Sequence, residues 1–257
     1  MKVKLFYDRS VHQSAAYYYQ LAKESREKIA GARKAVEETE REIKKAQKPE
    51  KKEVRVKRQK EWFEKFHFAY TSAGRLMIGG RNAQQNDMAV SKYMTGDDLF
   101  FHADIQGGSV VVLKDGIHAG DGEMLEAAQF AASFSKAWQN GNASVDVYAV
   151  GRDNLTKNVS GGFVPSGAFA IIGERRWFRG TKLALRIGLG ETGIVLFPEI
   201  SDKPLKDPLL LVPSQAGKDK GSLAKSLSKR FAVHPDDLLE LLPNGKSKTV
   251  EARSLPV

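Results

Sequence analysis

The side chains in this sequence best suited to chemistry fall in three short runs. His102-Ala-Asp104 sets an imidazole and a carboxylate two positions apart, a spacing that places both on one face of an extended strand. Such a pair could serve as a general base oriented by a carboxylate, or as two metal ligands. No second histidine or acidic cluster of ligand spacing accompanies it, and His67, His118 and His234 stand alone. The pair therefore reads as structural or binding, with Asp104 fixing the imidazole and the loop backbone. No Ser/His/Asp triad or catalytic glutamate pair can be assembled, so the expectation is a protein that is not an enzyme and uses no cofactor or metal. The competing reading is a nucleic-acid-processing enzyme built on His102 and Asp104.

The other two runs interleave cations with rings or glycines. Arg175-Arg176-Trp177-Phe178-Arg179 with Lys182 offers guanidinium forks for phosphate and rings that stack on unpaired bases. The plainer alternative leaves Trp177 and Phe178 in the core and the arginines in solvent. Gly79-Gly80-Arg81-Asn82 puts a cation and bare backbone at a helix start, where a phosphate could sit; otherwise it is a glycine turn with an asparagine cap. Gly188-Leu-Gly190-Glu-Thr-Gly193 matches the dinucleotide-binding spacing, but a strand rather than a helix follows it, so it reads as a hairpin. Gly217 to Ser222 lacks the Gly-Lys-Ser/Thr ending of a phosphate loop.

Charge patterning points the same way as the basic runs. The 257 residues carry 41 Lys and Arg against 31 Asp and Glu, and residues 20–60 hold fifteen of those cations against eight acids. An excess this concentrated favours a polyanionic partner. The absence of cysteine excludes a disulfide scaffold, Cys-ligated metal and a thiol nucleophile. No apolar run is long enough for a membrane span, and the first residues lack the apolar stretch of a signal peptide. A cytoplasmic protein with no membrane partner is expected.

These runs need elements to hold them. Residues 10–47 read as one long helix: Ala15, Ala22, Ile29, Val36 and Ile43 recur every seven residues, a narrow coiled-coil-like stripe, and Pro49 opens a charged linker. From Trp62 the texture is that of a packed domain. Strands are expected over 66–71, 75–78, 99–103, 109–113, 144–149, 168–172, 183–187, 194–197 and 209–212. Helices are expected from Asn82 to Met94, from an Asp121 cap to Trp138, from a Ser222 cap to Phe231, and from Pro235 to before Pro243. The fold class is α+β, a mostly antiparallel or mixed sheet flanked by helices, with an N-terminal basic coiled-coil-like helix. The expected division is a basic arm and linker over 1–60, an α+β domain over 61–200, and a small C-terminal α/β extension over 201–257 packed on it.

A series of collinear blocks adds a family. Trp62-Phe-Glu-Lys-Phe66, Ser72-x-Gly74, Ile78-Gly-Gly-Arg81-x-Ala83-x-x-Asn86, Asp98-Leu-x-x-His102-Ala-Asp104-x-x-Gly107, Ala127-Ala-x-Phe130 with Ser135-Lys-Ala-Trp138, Ser144-Val-Asp-Val-Tyr148 and Pro165-Ser-Gly167-Ala-Phe169 follow in order. Together they resemble the NFACT-R domain, the RNA-binding module of the NFACT (fibronectin-binding protein A, Rqc2-like) proteins, and most closely its archaeal members. The resemblance implies ribosome-associated quality control, with rRNA and/or tRNA and the large ribosomal subunit as partners. Family members also carry an NFACT-N domain and a helix–hairpin–helix that this sequence lacks, which implies a stand-alone R-domain protein or a fragment, with a separate NFACT-N polypeptide as a further partner. The family's Ser-Lys-Thr segment is replaced here by Leu155-Thr-Lys157-Asn158. The residues expected to contact nucleic acid are Arg81, His102, Asp104, Lys157, Arg175, Arg176, Trp177, Arg179 and Lys182, with Lys44, Lys45, Lys51 and Lys52 supplying nonspecific phosphate attraction. A general DNA-binding module is the remaining alternative.

Overall fold

The computed structural model describes residues 7–46, 60–159, 162–191 and 193–251, and the chain divides into two units, residues 1–59 and residues 60–257. In the first, the expected arm is a single helix, α1 (Val11–Ala46). A reciprocal cap opens it: Ser10 Oγ accepts from the Gln13 N–H at 3.3 Å, and Gln13 Oε1 accepts from the Ser10 N–H at 3.0 Å. Its stripe residues Ile29 and Val36 are more than half exposed, so within this unit the helix relies on local terms such as the Gln20–Glu24 pair one turn apart.

The second unit begins with a hairpin of β1 (His67–Tyr70) and β2 (Leu76–Gly79). Next comes α2 (Ala83–Met88), started by Asn82, whose side chain accepts from the Gln85 N–H, and extended by a π-helical turn over Ala89–Tyr93. β3 (Leu99–Ala103) and β4 (Val110–Leu113) precede α3 (Asp121–Ser133) and α4 (Lys136–Asn140). β5 (Ser144–Gly151) leads into four two-residue strands: β6 (Leu155–Thr156), β7 (Asn158–Val159), β8 (Gly162–Phe163) and β9 (Ala170–Ile171). After them come β10 (Arg176–Lys182), β11 (Leu185–Gly190), β12 (Gly193–Pro198) and β13 (Lys206–Lys218), then α5 (Lys220–Phe231), α6 (Pro235–Leu241) and β14 (Ser247–Glu251).

These strands build two main sheets, both wholly antiparallel. The larger has the order β1-β2-β4-β3-β5-β10 and the smaller β12-β11-β13-β14, while β6 pairs with β9 and β7 with β8. Several expectations shift. The strands near 183–187 and 194–197 do not complete the first sheet; they start the second, whose strands lie on both sides of residue 200. Residues 170–171 form only a two-residue ladder, and the edge place in the first sheet goes to β10. The glycines of the rejected dinucleotide pattern do form a hairpin, with Gly190 opposite Gly193. The helix expected to run from 121 to 138 is broken at Phe134–Ser135, because the Ser135 hydroxyl donates to Ala132 O (2.7 Å) and accepts from the Ala137 N–H (3.2 Å). Gly120, not Asp121, caps α3, and Asp219, not Ser222, caps α5.

The core organises around α3. Ala127, Ala128, Phe130, Ala131 and Ala132 have no exposed surface, and the helix packs on β3, β4, β5 and β10 from one side and β12 from the other. Leu223, Leu227, Phe231 and Leu238 from α5 and α6 close the same core. Two carboxylates of α3, Glu123 and Glu126, are buried as well, and both are satisfied. Glu123 accepts from Thr71 Oγ1 (2.7 Å), Arg75 Nη1 (2.6 Å) and the Gly120 N–H (3.1 Å), while Glu126 accepts from the Ser72 N–H. These bonds tie the Ser72-Ala-Gly74 turn to the helix. The opposite face of the large sheet carries a smaller cluster: Phe66, Ile78, Phe100, Tyr148 and Val150, with Ala89 and Val90 from the π-helical turn and Leu155 and Phe169 from the 152–173 loop.

Trp138 ties the last strand to this core: its indole Nε1 donates to Ser247 Oγ at 3.0 Å, and both residues are buried. Ser247→Ala removes the acceptor with little loss of volume and leaves the buried indole N–H without a partner. Chemical unfolding of this variant should show a loss of about 1–3 kcal/mol, and unchanged stability would mean that the bond carries no weight.

Candidate nucleic-acid interface

The expected basic-aromatic run is strand β10, and strand alternation sorts its residues. Phe178 enters the α3 core at 8% exposure, while Trp177, partly exposed, belongs to the opposite face. Neither of the two expectations for this run holds whole: one ring is core and the other is surface. Cross-strand register then does what spacing could not. His102 on β3 lies opposite Tyr148 on β5, and Tyr148 lies opposite Trp177 on β10. Three rings thus form one row across three strands, with centroids 5.7 Å and 5.5 Å apart.

Two arginines frame that row. The Arg175 guanidinium lies 4.8 Å from the Tyr148 ring and 5.8 Å from Trp177, and Arg179 lies 3.8 Å from Trp177, distances at which a cation is attracted to the ring face. Arg179 reaches its place through a bulge: the β10–β5 register slips between Phe178 and Thr181, and Gly180 there adopts φ +59°. Asp146 holds the bulge, accepting from the Gly180 N–H at 2.7 Å and from Arg179 Nη1 at 2.6 Å. Those two donors also keep the Asp146 carboxyl below the usual carboxylate range. An edge bulge that re-aims a side chain is common beside functional sites.

The remaining cations of the run are occupied. Arg176, on the α3 side, pairs with Asp121 at 2.8 Å, and Lys182 pairs with Glu199 at 2.8 Å. Arg175 has no carboxylate partner among the described residues. Lys157 is also engaged: its ammonium donates to Asp87 Oδ1 (2.5 Å) and Ala168 O (2.6 Å) and lies 4.0 Å from the Phe169 ring centroid. Asp87 further accepts from Ser166 Oγ at 2.7 Å, so this carboxylate anchors the 152–173 loop on α2. At Gly167 (φ +79°) a Cβ would stand 2.5 Å from Ala83 Cα, which is why the Pro165-Ser-Gly167 turn needs glycine.

His102 and Arg81 meet around a cleft of about 540 Å³ at the end of the large sheet. The start of α2, the loop between β3 and β4, the α3–α4 joint, residues 166–168 and Asn244 enclose it. A Cβ at Gly108 would stand 2.8 Å from His102 Cε1, so glycine there lets the imidazole lie flat on the loop. His102 Nδ1 is enclosed without a hydrogen-bond partner. Burial holds this imidazole below its ordinary pKa, with Arg175 adding to the effect and Asp104 opposing it. No hydrogen bond joins His102 to Asp104, which corrects the expectation that the carboxylate fixes the ring; Asp104 is exposed, and its backbone N–H donates to Asp146 O. Arg81 turns inward, with Nη2 donating to Phe66 O (3.1 Å) and Glu64 O (3.4 Å). Lys44 and Lys45 fall in the last turns of α1, with side chains outside the described set; Lys51 and Lys52 lie outside the described residues.

Sequence reasoning passed over Tyr148 and Lys136 as site residues. The alternation of Asp146 and Tyr148 with the valines of β5 was the available signal for Tyr148, whereas Lys136 enters only through the α3–α4 break. Among the described residues no group of three or more His, Asp or Glu is arranged to hold a metal, and no helix is long and apolar enough to cross a membrane.

Residues 65–173 match the family described as NFACT protein RNA binding domain. The chain is 35% identical over 207 residues to the archaeal Rqc2 homolog aRqcH of Methanocaldococcus jannaschii, a match covering 77% of this chain and 30% of that protein. It is 32% identical over 192 residues to the ribosome quality control complex subunit NEMF homolog of Drosophila melanogaster, covering 70% and 19% respectively. For ribosome quality control complex subunit 2 of Schizosaccharomyces pombe the identity is 30% over 168 residues, covering 62% and 16%. The family match defines the class: an RNA binding domain of the NFACT proteins. The chain is an NFACT-R domain protein of the archaeal type, and it spans less than a third of the length of each of these relatives. Strand β10, with its arginines and Trp177, lies just past the matched span.

Two outcomes follow from the ionisable groups. Burial pushes the Asp87 carboxyl up, but the bonds from Lys157, Ser166 and the Gly167 N–H outweigh it and leave the group below its ordinary value. Its contribution is therefore complete above about pH 4 and lost as pH falls through the lower folded value. Asp87→Asn should speed protease cleavage in residues 157–168 at neutral pH, as acid alone should do for the parent chain; equal cleavage rates would dismiss Asp87 as the loop anchor. His67 is the second group: burial, then Arg81 and Lys220, hold its pKa well below normal. The unfolded chain then binds the extra proton, so stability should fall as pH drops below about 6.5. His67→Phe, which retains the ring stacked on Phe134, should flatten that slope in urea titrations at several pH values.

Proposed function

We propose that this chain is a non-enzymatic RNA-binding protein of ribosome-associated quality control. It binds the large ribosomal subunit in the cytoplasm and touches unpaired rRNA or tRNA bases with the partly exposed rings of His102 and Trp177, which flank the buried Tyr148. The observation that carries this reading is the three-ring row flanked by Arg175 and Arg179. Rings across adjacent strands of a sheet receive bases by stacking, and stacking tolerates any sequence because every base has a π-face. The family described as an RNA binding domain supports the ligand class, and the relatives' names support the ribosomal setting. In this reading residues 1–60 are a basic arm, with Lys44, Lys45, Lys51 and Lys52 adding affinity by counterion release. Residues 61–200 hold the recognition face and residues 201–257 brace it. A separate NFACT-N polypeptide is the partner that would add further tRNA recognition.

The row separates stacking from charge, and a binding assay can do the same. With a single-stranded RNA followed by fluorescence anisotropy, Trp177→Ala should weaken binding roughly 5- to 150-fold, the worth of about 1–3 kcal/mol for one stacked base, with the salt slope preserved. Trp177→Phe should recover most of the loss. Arg175→Ala should reduce the salt slope by about one unit. Wild-type affinity in Trp177→Ala would remove the row from the interface. In co-sedimentation across a salt series, saturable binding to large subunits alone supports the ribosomal role; equal binding to both subunits and to duplex DNA would reduce the chain to a general polyanion binder.

A further inference from the structure

The cleft beside the ring row carries cations and no counter-charge. Arg81, Lys136 and His102 line it, and none of its lining residues is an aspartate or glutamate. The Arg81 guanidinium donates to main-chain carbonyls, and its Nε is enclosed without a partner. Lys136 is exposed and pairs with no carboxylate among the described residues. Its stem is braced: the Lys136 N–H donates to Gly107 O at 3.3 Å, and a Cβ at Gly107 (φ +81°) would stand 3.2 Å from Lys136 Cδ. Behind the wall, His67 stacks on Phe134, and Lys220, partly buried, donates to the amide oxygen of Asn244 at 3.0 Å rather than to a carboxylate.

We propose that this cleft is a phosphate site, in which Arg81, Lys136 and His102 receive one phosphate group of a nucleotide or nucleic-acid strand. Like charges gathered with little solvent repel one another unless an anion joins them. Arg81 also acts on two groups behind the cleft wall: burial and then Arg81 lower Lys220, while Arg81 and Lys220 add to the effect of burial on His67. The acids that face the cluster from outside are already accounted for. Glu240, which draws on Arg81, is bonded to Lys60 at 2.9 Å, and Asp104 draws on His102 from the loop margin. His102 belongs to both cleft and row, so one nucleotide could present its base to the rings and its phosphate to the cleft. The site thus deepens the RNA-binding reading and rests on it only for where the phosphate comes from.

The test follows the imidazole resonances of His67 and His102 by nitrogen–proton NMR on the full chain. Inorganic phosphate should move His102 saturably and raise its pKa, because a bound anion favours the imidazolium. Lys136→Gln, a change at an exposed side-chain end that leaves packing intact, should weaken phosphate binding about tenfold (about 1.4 kcal/mol), while Lys225→Gln on the exposed side of α5 should not. Two single-stranded RNAs differing only in a 5′-phosphate identify the source. Equal effects mean an internal phosphodiester; an effect of the phosphorylated strand alone means a strand end. If inorganic phosphate leaves His102 unmoved, or Lys136→Gln binds it as the parent does, the phosphate site is overturned whether or not RNA binds the row. If phosphate binds and neither RNA does, the site stands and the RNA-binding reading fails.

Discussion

The whole second unit depends on burying α3 between two sheets. A helix with alanines at its buried contact positions lets β-sheets approach closely, since small side chains hold little space between layers. Ala127, Ala128, Ala131 and Ala132 provide that close approach, and Phe130 fills the remaining volume. The cost of burying Glu123 and Glu126 is offset by bonds that tie the first hairpin to the helix. Because α3 occupies one face of the large sheet, only the other face can meet a ligand. That face is half covered by α2, the π-helical turn and the 152–173 loop, which Asp87 and Lys157 hold down. Beside that cover lies the row of His102, Tyr148 and Trp177, in which Tyr148 is buried and the two outer rings are partly exposed.

Charge is distributed by role across this molecule. The carboxylates of Asp121, Asp146 and Glu199 each take one cation of β10, which leaves Arg175, just before the strand, without a carboxylate partner among the described residues. Exposed pairs of this kind contribute little to stability, but they fix where side chains point, as Asp146 does for Arg179 at the bulge. The cleft has cations without acids, and residues 20–60 hold the bulk of the excess charge. In the proposed reading, stacking, local phosphate contact and long-range attraction fall to different residues.

Much of this was legible in residue order. The hairpin at 67–79, the cap at Asn82, the long N-terminal helix and the rejection of the Gly188–Gly193 pattern all rest on local rules of turn, cap and period, and the structure bears them out. Elements were missed where local signals conflict. Strand β10 hides its alternation under two arginines and a lysine, the α3–α4 break turns on one serine hydroxyl, and the second sheet draws β13 and β14 from a stretch where only one short strand was evident. Lys157 resembles any loop lysine until the loop folds onto Asp87.

The sequence by itself determined which side chains exist to do the work: rings and cations near 100 and 177, glycines where backbones must approach, a basic helix ahead of them. Only the tertiary structure decided which of them meet. Register across β3, β5 and β10 brings positions 102, 148 and 177 into one line, and the chain between them contains no local rule for it. A strand fixes which face its own residues share, because the backbone alternates. Which residue on the neighbouring strand stands opposite is set by the burial of α3 and the bulge at Gly180, and those depend on contacts far apart in sequence.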